Sequence, residues 1–162
     1  MNVLISINGP PSEKALASAI KQNCDIVIVS DKKITVPDNI KLLIIGDSNT
    51  FLKSSIQFAN NYSFVYLMEP NTVLLDNCIK KITETEKVYS HAYSDYFICN
   101  SRNNGAKPLV NYCTSIIDKK VNTGPNKLIR ISKNLPSTLD EILYSGAFLS
   151  KHIAEPTYFI EK

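Results

Sequence analysis

No apolar run in this sequence approaches the ~20 residues that a membrane-spanning helix needs, so the chain is not expected to cross a bilayer. A concentrated basic tract is also missing. The 18 Lys and Arg are spread along the chain against 15 Asp and Glu, a net charge of +3, which argues against nucleic-acid binding. Cys24, Cys78, Cys99 and Cys113 never form a Cys-x-x-Cys pair, and His91 and His152 sit at no metal-finger spacing. A structural zinc is therefore not expected. Each cysteine has apolar neighbours and reads as a packed, reduced thiol. The opening Met1 to Ile7 lacks a basic leader and is too short for a signal-peptide core, so it reads as a first strand, with an intracellular, cytoplasmic location expected. Internal repeats, low-complexity tracts and linkers are absent. One domain over residues 1–162, with its own hydrophobic core, is the expectation.

What is present is the composition of a globular protein, 44% hydrophobic and 20% charged. Strand and helix signals alternate through roughly the first ninety residues, which predicts an α/β layered domain with a mostly parallel sheet. Strands are predicted over Val3 to Ile7, Asp25 to Val29, Lys41 to Ile45 and Phe64 to Met68. Ser12 can cap a helix carrying Ala15, Leu16, Ala19 and Ile20 on one face, and Phe51, Leu52, Ser55, Ile56 and Ala59 describe a second. A third helix is predicted after Met68: Leu74, Leu75, Cys78, Ile79 and Ile82 form a stripe, with Asn71 or Thr72 as its cap. Beyond it, Val88 to Cys99 is tyrosine-rich and leads into the turn-forming Asn100 to Gly105, a strand entering a hairpin. Leu109 to Asp118 and Lys127 to Ser132 are further extended candidates, and Ser137 to Leu143 a short helix.

Three features fall at strand ends: Asn8-Gly9-Pro10, Asp31 and Glu69-Pro70-Asn71. In a parallel sheet all three open on one edge, where such sheets bind ligands. Asp31 could accept hydrogen bonds from a base or ribose. Glu69 and Asn71 offer hard oxygen ligands for a divalent cation holding a diphosphate. The bland readings are a solvated turn for Asp31, a turn and helix cap for Glu69 and Asn71, and a sheet face for Tyr89, Tyr93 and Tyr96. His91 and His152 read as ordinary surface or partly buried histidines, and Asp95 can pair with a neighbouring hydroxyl.

Ile26 to Asp31 and Leu67 to Leu74 resemble family-2 glycosyltransferases of the GT-A fold, whose second strand ends in a base-recognising Asp and whose later strand ends in a metal-binding Asp-x-Asp. Asn49, before its helix, sits where that family often has an Asn-containing segment, and Tyr144 to Lys151 resembles its acceptor-side Gly segment. The resemblance implies a three-layer, Rossmann-like GT-A fold with an antiparallel hairpin in the second half. Residues 1–90 would form the nucleotide-binding half and 91–162 a reduced acceptor-side half. It implies transfer of a sugar from a nucleotide-diphosphate sugar to an acceptor hydroxyl. Asn8, Gly9, Asp31 and Asn49 would bind the nucleotide, while Glu69 and Asn71 would hold Mn or Mg.

The departures carry information of their own. Glu69-Pro70-Asn71 replaces one carboxylate of Asp-x-Asp with an amide and lengthens the other, which should weaken cation binding. The chain ends at Lys162, soon after the Gly segment, where members of the family continue into a Glu-Asp or similar motif bearing the catalytic base. Asp95, Asp140, Glu141 and Glu155 are the later candidates for that role, and Asp95 is the one assigned to it. The alternative is a catalytically inactive module with the same fold, used for binding, as an oligomer, or as a structural part of a larger assembly. A nucleotidyltransferase-like domain should show a Gly-rich, basic loop after the first strand, and Asn8-Gly9-Pro10-Pro11 is not one.

Overall fold

The computed structural model describes residues 2–47, 50–84, 91–100, 109–113, 117–118, 121–122, 126–131 and 150–161. The chain begins β1 (Val3–Asn8), α1 (Glu13–Ile20), β2 (Asp25–Ser30), β3 (Lys41–Ile44), α2 (Phe51–Phe58) and β4 (Phe64–Met68). It continues through β5 (Thr72–Leu74), α3 (Cys78–Glu84), β6 (His91–Asn100) and β7 (Leu109–Cys113). β8 (Ile117–Asp118) and β9 (Val121–Asn122) make a small separate pair, followed by β10 (Lys127–Arg130) and β11 (Ser150–Glu161). Asn49 and the helix predicted over Ser137 to Leu143 lie outside the described residues.

The main sheet has the order β3-β2-β1-β4-β10-β6-β11-β5, with β7 alongside β6. β3, β2, β1 and β4 are parallel, and β2, β1 and β4 are the continuous apolar strands buried on both faces that such a sheet expects, with β3 as its more exposed edge. β10 then runs antiparallel to both β4 and β6. Because two reversals restore the direction, β6 points the same way as β4, and β11 pairs parallel with β6. The predicted hairpin is present as the antiparallel β6 and β7.

Alternation along the strands sorts the core into two layers. Ile5, Ile7, Ile28, Tyr66, Met68 and Leu128 pack under α1 and α3, through Ala15, Ala19, Cys78, Ile79 and Ile82. Leu4, Val27, Val29, Val65, Leu67 and Ile129 face the other way, toward Phe51, Leu52 and Ile56 of α2. Tyr96 stacks on Tyr158 with ring centroids 5.2 Å apart, as the sheet-face reading expects at that position, while Tyr89 lies outside the described residues. Cys24, Cys78 and Cys99 are free thiols.

The third helix departs from expectation. Thr72 and its successors begin a strand, not a helix: Thr72, Val73 and Leu74 pair with Ile160, Phe159 and Tyr158 of β11. The Leu74 N–H donates to Ser18 Oγ at 2.9 Å, and the Leu75 N–H to the Thr157 carbonyl at 2.8 Å. These partners satisfy the amides that a helical turn would have used, and α3 starts only at Cys78, after Asn77 at φ 61°. The stripe of apolar residues is real, since Leu74, Cys78, Ile79 and Ile82 are all buried. Its first member reaches the core from a strand.

Ile5 is fully buried at the centre of the α1 and α3 side of the sheet. Ile5→Ala should destabilise the protein by about 2–5 kcal/mol in chemical denaturation.

Candidate functional site

The parallel strands bring the ends of β1, β2 and β4 to one edge, and the chain order makes that edge a switch point. From β1 the sheet grows outward through β2 and β3, then restarts on the other side of β1 with β4. Crevices at such reversals are where open α/β sheets take ligands.

Asn8 closes β1, and Gly9 follows at φ 86°. That left-handed angle suits glycine, and open space surrounds the position a Cβ would take. The Gly9 N–H donates to the Val29 carbonyl at 2.7 Å, fastening the loop to the end of β2. Ser12 accepts the Ala15 N–H on its side chain at 3.1 Å as the N-cap of α1. Its own N–H donates to the Pro70 carbonyl at 2.9 Å. The first loop and the Glu69 corner are therefore joined directly. Asp31 is exposed, just beyond the Ser30 that ends β2.

The corner has a support that the sequence did not reveal. Asn126 is 1% exposed, accepts the Glu69 N–H on Oδ1 at 3.0 Å and donates from Nδ2 to Thr72 Oγ1 at 3.1 Å. The Thr72 N–H donates in turn to the Glu69 carbonyl at 3.1 Å. Lys127, the next residue, is 2% exposed and stands opposite Leu67 on β4, two residues before Glu69. Burial pushes the Glu69 carboxyl above its ordinary value, and the Lys127 charge acts against that shift. Burial also pulls the Lys127 ammonium down from 10.5 to about 8, with Glu69 opposing.

Asn71 does not cap a helix. Its Nδ2 donates to the Glu161 carbonyl at 3.1 Å, and the Glu161 N–H donates to the Asn71 carbonyl at 3.1 Å. Glu161 also pairs with Lys14 of α1 at 2.8 Å. Among the described residues no three His, Cys, Asp or Glu side chains gather as a metal site. Glu69 and the Asn71 amide oxygen are too few ligands to hold a hard cation alone.

Asp95 lies farther along the sheet, on β6, 1% exposed, with Oδ1 at 2.7 Å from His152 Nε2 on β11. Thus Asn8, Gly9, Glu69 and Asn71 come together with Asn126 and Lys127, Asp31 stands at the next strand end, and Asp95 has His152 as its partner. Asn126, Lys127 and His152 carried no motif. Only the reversal of β10 brings Asn126 and Lys127 to the corner, and only the pairing of β11 with β6 brings His152 to Asp95.

No protein-family model and no curated protein sequence matches the chain. Solved structures do. An S. aureus TarS structure aligns with a TM-score of 0.66 at 14% identity, over 99% of this chain and 60% of that one. The fold is that of GT-A and nucleotidyltransferase structures. The 2-C-methyl-D-erythritol 4-phosphate cytidylyltransferase of Thermus thermophilus aligns with a TM-score of 0.57 at 9% identity, over 96% of this chain and 89% of that one. For the bifunctional IspDF of Campylobacter jejuni the values are 0.55 and 14%, over 96% and 50% of the two chains. The chain thus spans less than two thirds of the TarS structure it matches and half of IspDF.

The shift at Lys127 sets a pH dependence. Its native value of about 8 lies below the unfolded 10.5, so between these pH values the unfolded chain holds more protons and stability rises with pH. Lys127→Met should therefore stabilise the protein more at pH 7 than above pH 10.5, by about 3 kcal/mol, as read from denaturation curves at both pH values. Asn126→Ala should cost about 1–3 kcal/mol, because it strips the Glu69 N–H and the Thr72 hydroxyl of their buried partner.

Proposed function

We propose that this protein is a glycosyltransferase-like transferase that binds a nucleotide-diphosphate sugar at the edge formed by β1, β2 and β4. The observation carrying this reading is the direct join between the Gly9 loop and the Glu69 corner, made by the Ser12 N–H and the Pro70 carbonyl at a sheet switch point. In this reading Asp31 takes hydrogen bonds from the base or ribose, and Asn8 and Gly9 line the approach of the phosphates. A divalent cation, Mn or Mg, comes with the diphosphate, whose oxygens complete the ligand set begun by Glu69 and Asn71. The acceptor is a hydroxyl compound.

The fold is shared with a cytidylyltransferase, yet the loop after β1 reads Asn8-Gly9-Pro10-Pro11, with neither the basic residues nor the glycine run that cradle a triphosphate. Sugar transfer is the better fit. A second reading is favoured by one observation, the single carboxylate at the corner: a catalytically inactive module that binds a nucleotide sugar, assembles as an oligomer or supports a partner protein.

A thermal-shift screen of uridine, guanosine, cytidine and adenosine diphosphate sugars, with and without manganese, tests the proposal. One of them at a hundredfold its Kd should raise Tm by roughly 5–10 °C, and Glu69→Ala should remove the manganese-dependent part. No shift with any nucleotide, together with a stable oligomer, would sink the transferase reading in favour of the structural one.

A further inference from the structure

The registers of three strand pairs align Asp95 with the Glu69 corner. Leu128 of β10 stands opposite both Tyr66 of β4 and Ala92 of β6. Since β4 and β6 run the same way, Asp95, three residues past Ala92, is level with Glu69, three residues past Tyr66. Two strand spacings separate them, roughly 10 Å at about 4.8 Å each. Alternation puts Asp95 on the sheet face of Leu67 and Lys127. His152, the register partner of Tyr93, belongs to that face too.

β11 pairs irregularly at this level. Ile153 stands opposite Ser94 but Pro156 opposite Asp95, so Ala154 and Glu155 are taken up as a bulge. Bulges of this kind re-aim side chains and recur beside active sites. Here the bulge begins two residues after His152, whose Nε2 lies 2.7 Å from Asp95 Oδ1. The carboxylate is sealed in at 2% side-chain exposure, while the ring keeps 29%. The backbone beneath is fixed as well: the Ser94 hydroxyl donates to the Asp95 carbonyl at 3.0 Å and lies 2.5 Å from Thr157 Oγ1. Of the charged groups on adjoining elements, Glu155 is paired with Lys81 of α3, and Lys127 of β10 interacts with Glu69.

We propose that His152 is the general base of the transfer reaction and that Asp95 is its positioning residue. The proposal rests on the transferase reading given above. An Asp95 carboxylate accepting the Nε2 proton fixes the tautomer in which Nδ1 carries the lone pair. In the step itself, Nδ1 takes the proton of the acceptor hydroxyl as its oxygen forms a bond to the anomeric carbon. The bond from that carbon to the diphosphate oxygen breaks, and the nucleoside diphosphate leaves with the electron pair. The proton ends on the imidazole, and the buried Asp95 stabilises the imidazolium. His152 stands one strand beyond Asp95 and level with Leu67, so a sugar reaching it from a diphosphate at Glu69 spans three strand spacings, roughly 14 Å at about 4.8 Å each.

The test uses the full chain with a panel of nucleoside-diphosphate sugars, and water, polyols and simple sugars as acceptors. Release of nucleoside diphosphate reports turnover, and thermal shift reports binding. His152→Gln should lower kcat by about 100-fold or more with the thermal shift unchanged, and added imidazole should partly restore turnover to His152→Ala. Asp95→Asn should lower kcat and leave KM near its original value, because the imidazole loses the carboxylate that holds its tautomer and orientation. Full turnover by His152→Gln overturns the assignment of His152 and leaves the transferase reading standing. Binding without turnover in the unaltered protein also overturns it, in favour of the binding module. If no nucleotide sugar binds or turns over, both proposals fall together.

Discussion

β10 reverses direction between two strands that do not, and the second half of the molecule depends on that reversal. Its four residues hydrogen-bond to β4 on one side and begin the pairing with β6 on the other. Without it the parallel half would end at β4 as an open edge, and β6 and β11 would have nothing to extend. The same four residues deliver Lys127 to the strand opposite Leu67, while Asn126, immediately before them, reaches the Glu69 amide and the Thr72 hydroxyl. A short antiparallel insert therefore joins the parallel strands β1 to β4 to the strands carrying Asp95 and His152.

The electrostatics of the corner follow from its burial. A lysine almost wholly removed from water and a carboxyl that is partly removed each lose hydration, and each offsets part of the other's loss. The Glu69 and Lys127 pair is thus less charged in its surroundings than an Asp-x-Asp motif would be. This helps explain how the corner departs from the motif it resembles without leaving a buried charge uncompensated.

The parallel half of the fold was legible because its signals are local. Runs such as Ile26-Val27-Ile28-Val29 and Phe64-Val65-Tyr66-Leu67-Met68 can only be strands buried on both faces, and Ser12 marks the start of α1. The switch-point edge followed from them. The strand Thr72–Leu74 was misread because its partner, Tyr158–Ile160, lies far away in the sequence, whereas Leu74, Leu75, Cys78, Ile79 and Ile82 fit a helical stripe on their own. Asn126 and His152 were invisible for the same reason. An asparagine before a strand and a single histidine carry no pattern, and their importance comes from neighbours that the chain meets only after folding.

The pairing of β5 with the end of β11 also gives the site a place in time. Thr72 to Leu74 are made well before their strand partners and before the Glu161 backbone that holds Asn71. A nascent chain that has emerged only through α3 has the loop, the cap and most of the parallel strands, but its Glu69 corner is still open on one side. The Glu69 corner is complete only when the chain has been synthesised through Glu161. Until that point the edge of β5 stands unpaired, and an unpaired strand edge is a pairing hazard during the interval.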